Sequence, residues 1–270
     1  MSEYVQIEFP DVSAEQKDIF IAKLSLAGFE GFEETENGLK AFIPSKSFRE
    51  EILEEIAGKR NVYNKSVIAE TNWNKLWESN FDPVVIDEFV AIRAGFHQPI
   101  KEVEHEIIIT PKMSFGTGHH ATTFMMIQQM KQIDFSGKTV LDFGTGTGVL
   151  AIVAEKLGAK KIIAVDNDDW SIENADENVK NNNCERIELR KADTASADND
   201  FDVILTNINK NVIFDNFSLL VNQLVPGGVI LLSGLLAGDE DVIFHKTSEY
   251  SLHIIQTTVR DNWLCLKISC

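Results

Sequence analysis

The chain has 270 residues, 44% of them hydrophobic, with a formal net charge of −17 and a pI near 4.7. This is ordinary content for a globular protein of one large domain or two, and such acidity argues against a catalyst that grips RNA or DNA through many phosphates. The strongest apolar run, Val229–Ala237, is too short to span a bilayer. Met1-Ser-Glu-Tyr4 carries no basic-plus-apolar leader pattern. Three scattered cysteines (Cys184, Cys265, Cys270) match neither a disulfide nor a zinc spacing, so a cytosolic setting is expected. A basic protein suits the charge as a partner, because opposite charge speeds encounter; solubility alone accounts for it equally well.

In chain order, Tyr4–Phe9 alternates as a strand, and Ser13 is placed to cap a helix with apolar positions Ile19, Phe20, Leu24 and Leu26. Phe29–Glu34 and Leu39–Ile43 read as strands around Thr35-Glu-Asn-Gly38, a hairpin signal through Asn-Gly. A second helix is predicted over Phe48–Ile56 and a last strand over Tyr63–Ala69. The order β-α-β-β-α-β is the ferredoxin-like arrangement. No aromatic-rich RNA-recognition signature falls on this sheet, so residues 1–70 are expected to form a protein-docking domain. Thr71–Ser79 reads as a short helix with Trp73, Leu76 and Trp77 on one side. Residues 71–82 either link the domains at a limited set of angles or pack on the second.

The second domain, 83–270, begins with strand-like runs at Phe89–Ala94 and Glu106–Thr110. Strands then alternate with helices: Val140–Asp142, a helix reaching Leu157, Lys161–Asp166, a helix over Ser171–Asn181, Ile187–Lys191, Phe201–Thr206, a helix over Val212–Leu224, and Val229–Ser233. Pro226-Gly-Gly228 reads as a turn into that fifth strand. Leu252–Arg260 and Trp263–Ser269, joined by Asp261-Asn262, suit an antiparallel edge hairpin. Such alternation implies an α/β domain with a parallel sheet covered on both faces, seven strands in all.

The most informative stretch is Val140-Leu-Asp-Phe-Gly-Thr-Gly-Thr-Gly-Val-Leu150. An apolar run ends at Asp142, glycines stand at 144, 146 and 148, a helix opens, and a second apolar run stops at Asp166. That is the layout of a nucleotide-type cofactor site, the second acid lying on ribose hydroxyls. A dinucleotide fingerprint has its third glycine at position 149, where Val149 stands. Asp142 beside the turn would repel a pyrophosphate and attract the ammonium group of S-adenosylmethionine, which carries no phosphate. A tight strand-to-helix turn with no ligand is the plainer alternative. Ser136-Gly-Lys-Thr139 ends like a P-loop but lacks its first glycine, the position being Gln132.

A second constellation, Pro111-Lys-Met-Ser-Phe-Gly-Thr-Gly-His-His-Ala-Thr-Thr123, precedes the first. With Asp142–Gly148, Thr206-Asn-Ile-Asn209 and Ser233-Gly-Leu-Leu236, it closely resembles the methyltransferases of the eleventh protein of the bacterial large ribosomal subunit. The resemblance runs over nearly the whole chain. It implies a Rossmann-like seven-stranded methyltransferase domain of class I behind a small ferredoxin-like α+β domain that holds the ribosomal protein. It further implies S-adenosylmethionine as donor, and α-amino and lysine ε-amino groups as acceptors. Carried over residue by residue, it puts Thr123, Gly144, Asp166 and Asn207 at the cofactor contacts. Gly146, Asp142 and Phe115 stand beside them, and Thr123 with the 116–118 loop closes over the methionine end. Asn207 ends a strand facing the transferable methyl and can accept from the incoming amine. His120 matches the motif and orients donor or substrate, with a general-base role as the alternative; His119 is peripheral. Asp193 follows the third strand and either takes the adenine amino group or caps a helix at the surface. Thr206 and Asn209 flank Asn207 where many relatives carry small or apolar residues.

Adjacent histidines without a third ligand at metal spacing do not make a zinc site. Ile208-Asn209-Lys210 is also not the rigid Pro-Pro-Tyr-type loop that stacks planar amide or base nitrogens, which points to an aliphatic amine. Two other classes stay open on the sequence: a methyltransferase acting on a small molecule or RNA, and a non-catalytic protein that keeps the cofactor fold.

Overall fold

Ser13 starts the first helix with a capping box: the Gln16 N–H donates to its hydroxyl, and the Gln16 side chain accepts from its backbone N–H (2.9 Å). The computed structural model in which this is seen describes residues 3–10, 12–35, 38–57, 63–69, 81–112, 114–196 and 200–270. The chain divides into two units, Met1–Asn80 and Phe81–Cys270. The first contains β1 (Glu3–Phe9), α1 (Ala14–Leu26), β2 (Gly31–Glu34), β3 (Leu39–Pro44), α2 (Glu50–Ala57) and β4 (Asn64–Ala69). Its sheet is antiparallel in the order β2-β3-β1-β4, the ferredoxin-like topology. Strand period two explains its core: Val5, Ile7 and Phe9 alternate inward on β1, as do Leu39, Ala41 and Ile43 on β3, and they pack with Phe20, Leu24 and Leu53.

Two details of that unit differ from the sequence reading. Ile19 and Leu26 are exposed (47% and 91%), and among the described side chains of α1 the buried stripe is Lys17, Phe20 and Leu24. At about 100° per residue, positions one before Phe20 and two after Leu24 turn away from it. Helix α2 starts at Glu50, because Ser45–Ser47 forms a 3₁₀ turn and Phe48 leaves it in an extended conformation. Thr35 and Gly38 close the β2–β3 hairpin with a 3.0 Å bond. Asn37 and the expected helix with Trp73, Leu76 and Trp77 lie outside the described residues.

The second unit opens with a three-stranded sheet, β5 (Val84–Ile86), β6 (Val90–Ala94) and β7 (His105–Ile109), with β5–β6 antiparallel and β6–β7 parallel. Helix α3 (Ala121–Met130) follows, then β8 (Thr139–Phe143), α4 (Val149–Lys156), β9 (Lys161–Asp166), α5 (Asp169–Asn181), β10 (Ile187–Lys191), β11 (Phe201–Asn207), α6 (Lys210–Asn222), β12 (Leu224–Leu236), α7 (Glu240–Glu249), β13 (His253–Arg260) and β14 (Trp263–Ser269). The seven-stranded sheet has the order β10-β9-β8-β11-β12-β14-β13, parallel except for β14.

Strands β8, β9 and β11 are near-continuous apolar runs because both sheet faces are covered. One face packs on α3 and α4 through Met125, Met126, Leu150 and Val153; the other packs on α6 and α7 through Ile213, Phe217, Leu220 and Ile243. Asp261 and Asn262 both take positive φ (49° and 65°), the backbone of a two-residue type I′ hairpin. Pro226–Gly228 does not precede the fifth strand as a separate turn. Leu224 pairs with Phe201 and Val229 with Val203, so the segment is a bulge within β12. Among the described residues, no helix is long and apolar enough to cross a membrane.

Candidate active site

Strand β8 has β9 and β10 on one side and β11 and β12 on the other, so the direction of winding switches between β8 and β11. Ligands of open α/β sheets bind outside the carboxyl ends of the strands at such a point. A cavity of about 380 Å³ lies there, lined by Gly144 and Gly146 after β8, Asp166 ending β9, Asn207–Asn209 ending β11 and Gly234 in β12. Phe115, His120, Thr122, Ser171 and Trp263 complete the wall.

The two glycine-rich motifs interlock behind this cavity. Thr147 donates its N–H to the Phe115 carbonyl (2.9 Å) and its hydroxyl to the Gly116 carbonyl (2.8 Å). Gly146 has φ +54°, and a Cβ on it would collide with the Phe115 carbonyl oxygen. Glycine is needed there for close backbone approach as well as for conformation. Gly234, at φ +94°, plays the same part across the site, its bare Cα lying against the Ile208 backbone.

Two carboxylates serve the turn from different depths. Asp166 accepts the Gly146 N–H (2.9 Å) on one oxygen and the Asp168 N–H (3.1 Å) on the other, holding it at the cavity wall. Asp142 is fully buried and does not line the cavity; it accepts from Thr145 Oγ1 (2.6 Å), and its Oδ1 has no partner among the described residues. Burial pushes the Asp142 carboxyl up to about 7, opposed by the Thr145 hydrogen bond and aided by the Asp166 charge.

Asn207 is pinned by one half of its amide. Its Nδ2 donates to Thr123 Oγ1 (3.2 Å), while its Oδ1, buried at the cavity wall, has no partner among the described residues. Thr123 is itself fully buried behind Asn207 and lines no part of the cavity. Asn209 caps α6, accepting from the Val212 N–H (3.1 Å), which accounts for a polar residue at that position.

His120 caps α3, its Nδ1 accepting the Thr122 N–H (3.3 Å), which leaves Nε2 to carry the proton of the neutral ring. Its ring stands edge-on between Phe115 (5.2 Å between centroids) and Trp263 (4.9 Å). Phe115 is 50% exposed, a wall residue and not a core one. His119 points elsewhere, to the Asp82 carbonyl and the Phe81 ring. Asp193 is exposed and is not among the residues that line the cavity, although its neighbour Ala192 donates its N–H to the Asp166 carbonyl (3.0 Å).

Trp263, Ser171, Thr122, Ile208 and Gly234 are wall residues that the sequence reading did not assign. Trp263 pairs with Leu236 across antiparallel strands, a proximity that no local motif announces. Ser171 sits one step behind the Asp168 cap of α5 and had a local signal, the short spacing from Asp166.

A seven-stranded, β14-reversed sheet with an acid, a glycine turn and an asparagine around its switch-point cavity is that of a class I methyltransferase. The family described as ribosomal protein L11 methyltransferase (PrmA) matches residues 4–269, and the chain belongs to that family. The ribosomal protein L11 methyltransferase of Porphyromonas gingivalis is 39% identical over 261 residues, 93% of this chain and 90% of that protein. That of Chlorobaculum tepidum is 37% identical over 275 residues, covering 97% and 94%. The crystal structure of a ribosomal protein L11 methylase from Lactobacillus delbrueckii subsp. bulgaricus superposes with a TM-score of 0.65 at 31% identity, over 70% of this chain and 98% of that one.

Proposed function

We propose that this protein transfers methyl groups from S-adenosylmethionine to α-amino and lysine ε-amino groups of ribosomal protein L11, in the cytosol. Family membership supports the substrate, and the Asn207 Oδ1 at the cavity wall, without a partner among the described residues, is the observation that carries the chemistry. The residues present fit a donor with a ribose, an ammonium and no phosphate: two acids lie at the glycine turn, and Gly144 and Gly146 line the cavity with backbone. When bound, the donor supplies an electrophilic methyl on a sulfonium. Asp166 accepts from the ribose hydroxyls. Gly144 and Gly146 admit the donor, and Asp142 offsets its ammonium charge from beneath the turn. Phe115 and Trp263 exclude water and face the growing methylammonium with ring surface.

The acceptor amine attacks in line and must be neutral. A lysine amine (pKa ~10.4) needs a stronger perturbation than an α-amine (~7.7–8.0), and the apolar wall supplies desolvation in that direction. Asn207 Oδ1 accepts an N–H of the neutral amine and aims its lone pair, a positioning contribution. Residues 1–70 hold the ribosomal protein, and the acidic charge of the chain favours a basic partner.

Asp166→Ala is expected to weaken S-adenosylmethionine binding by about 1–3 kcal/mol, the scale of hydrogen bonds to a charged group. Calorimetric titration returning an unchanged affinity would refute the ribose assignment.

Donor binding is also expected to depend on pH through Asp142. In the free protein the carboxyl is protonated below about 7. A bound ammonium favours the ionised form, so binding below that pH must release a proton. Affinity therefore falls as pH falls, by up to about tenfold per pH unit. Asp142→Asn removes that slope; a slope equally steep in the variant would assign it to another group.

A further inference from the structure

Asn174, Asn178 and Asn182 recur at every fourth residue of the α5 helix and its C-cap, and all three are buried. Their side-chain amides occupy the free edge of β7, the outer strand of the three-stranded sheet. Asn182 accepts the Ile108 N–H (2.9 Å) and returns its Nδ2 to the Ile108 carbonyl (2.6 Å). Two residues on, the Thr110 N–H donates to Asn178 Oδ1 (2.7 Å), and the Thr110 carbonyl accepts from Asn174 Nδ2 (3.0 Å). The repeats match: four helical residues rise about 6 Å, and two strand residues rise about 6.6 Å. A helix thus stands in for the missing neighbour strand, which also protects the edge from other chains.

Asn178 does one thing more. Its Nδ2 donates to the Thr147 carbonyl (2.8 Å), inside the glycine turn. Thr147 in turn holds Phe115 and Gly116 by the two bonds described above. Asn178 therefore grips the residue at which the cavity loop leaves β7, and also the turn that grips the middle of that loop. Asn182 makes two bonds to β7, where Asn178 makes one to Thr110, and among the described residues it makes none to the turn.

We infer that Asn178 is a positioning residue that clamps Thr110 and, through Thr147, Phe115 and Gly116 onto the glycine turn and so fixes Phe115 in the cavity wall. The consequence for donor affinity rests on the donor reading above; the clamp itself does not. Two readouts on the full chain separate the two. Trypsin cleavage after the exposed Lys112, measured without donor, reports release of the loop. Calorimetric titration with S-adenosylmethionine reports the cavity.

Asn178→Ala should raise the cleavage rate and weaken donor binding, each about tenfold, the scale of one lost buried hydrogen bond. Asn178→Asp keeps the acceptor for Thr110 and turns a carboxylate on the Thr147 carbonyl, and it should do the same. Should neither variant fold, Thr147→Val, which removes only the hydroxyl bond to Gly116, should move both readouts in the same direction. Asn182→Ala should lower the melting temperature comparably while leaving both readouts within about twofold of the parent, a margin small beside one hydrogen bond. Cleavage that follows melting temperature alone, equal for the Asn178 and Asn182 variants, would overturn the clamp. Raised cleavage with unchanged donor affinity would overturn its role in the cavity. A parent chain that binds no donor would overturn the donor reading instead, and the cleavage comparison would still decide the clamp.

Discussion

Gly234→Ala is expected to cost about 2–5 kcal/mol of stability, the sum of left-handed strain on a residue with a Cβ and overpacking in a dense interior. Gly234 has φ +94°, and a Cβ there would collide with the carbonyl oxygen of Ile208. Backbone cannot yield as a flexible side-chain tip does, so either β12 or the Asn207–Asn209 segment must shift. Asn207 and Ser233 are paired across β11 and β12, and the shift reaches the proposed amine site directly. Urea denaturation measures the first effect and methyl transfer the second. A variant within about 0.5 kcal/mol of the parent, the range of ordinary surface substitutions, would show that the close approach is not needed.

The second large effect is on turnover. Asn207→Ala removes a buried acceptor that has no partner among the described residues and that we assign to the incoming amine. Loss of one hydrogen bond to a reacting group corresponds to about 10- to 100-fold in kcat. An interaction made only near the transition state lowers kcat and kcat/KM together, so donor affinity should stay within about threefold. Thr123→Val is the companion variant: it keeps the shape of Thr123 but frees the Nδ2 of Asn207, which then flips between orientations. Normal turnover in Asn207→Ala would leave that residue as packing only.

Much of the fold was legible because its signals are local. Lys161–Asp166 could be bounded as an apolar run and Ile187–Lys191 as an apolar–polar alternation, and the glycines after Phe143 could only be a turn. Asp142 and Asp166 were legible as acids beside that turn, but their depths were not. In a strand covered on both faces either side-chain direction is buried, so Asp142 lies within the protein while Asp166, one strand over, reaches the cavity. Three elements escaped: β5 is only three residues long, α3 opens within a motif read for its chemistry, and α7 is polar around much of its surface. Trp263 and the asparagines of α5 escaped for another reason. Their roles depend on partners at Leu236, Ile108, Thr110 and Thr147, which are distant in sequence and are set by strand pairing and helix docking alone.

Amine methylation of ribosomal protein L11 is read out by mass spectrometry of the purified protein after incubation with the full chain and S-adenosylmethionine. Successive one-methylene mass increments are expected on α-amino and lysine ε-amino groups. Far fewer of them are expected when the chain begins at Phe81, because remote binding energy that positions the substrate is then lost. Ribosomal protein L11 left unmodified by a chain that binds the donor would contradict this activity.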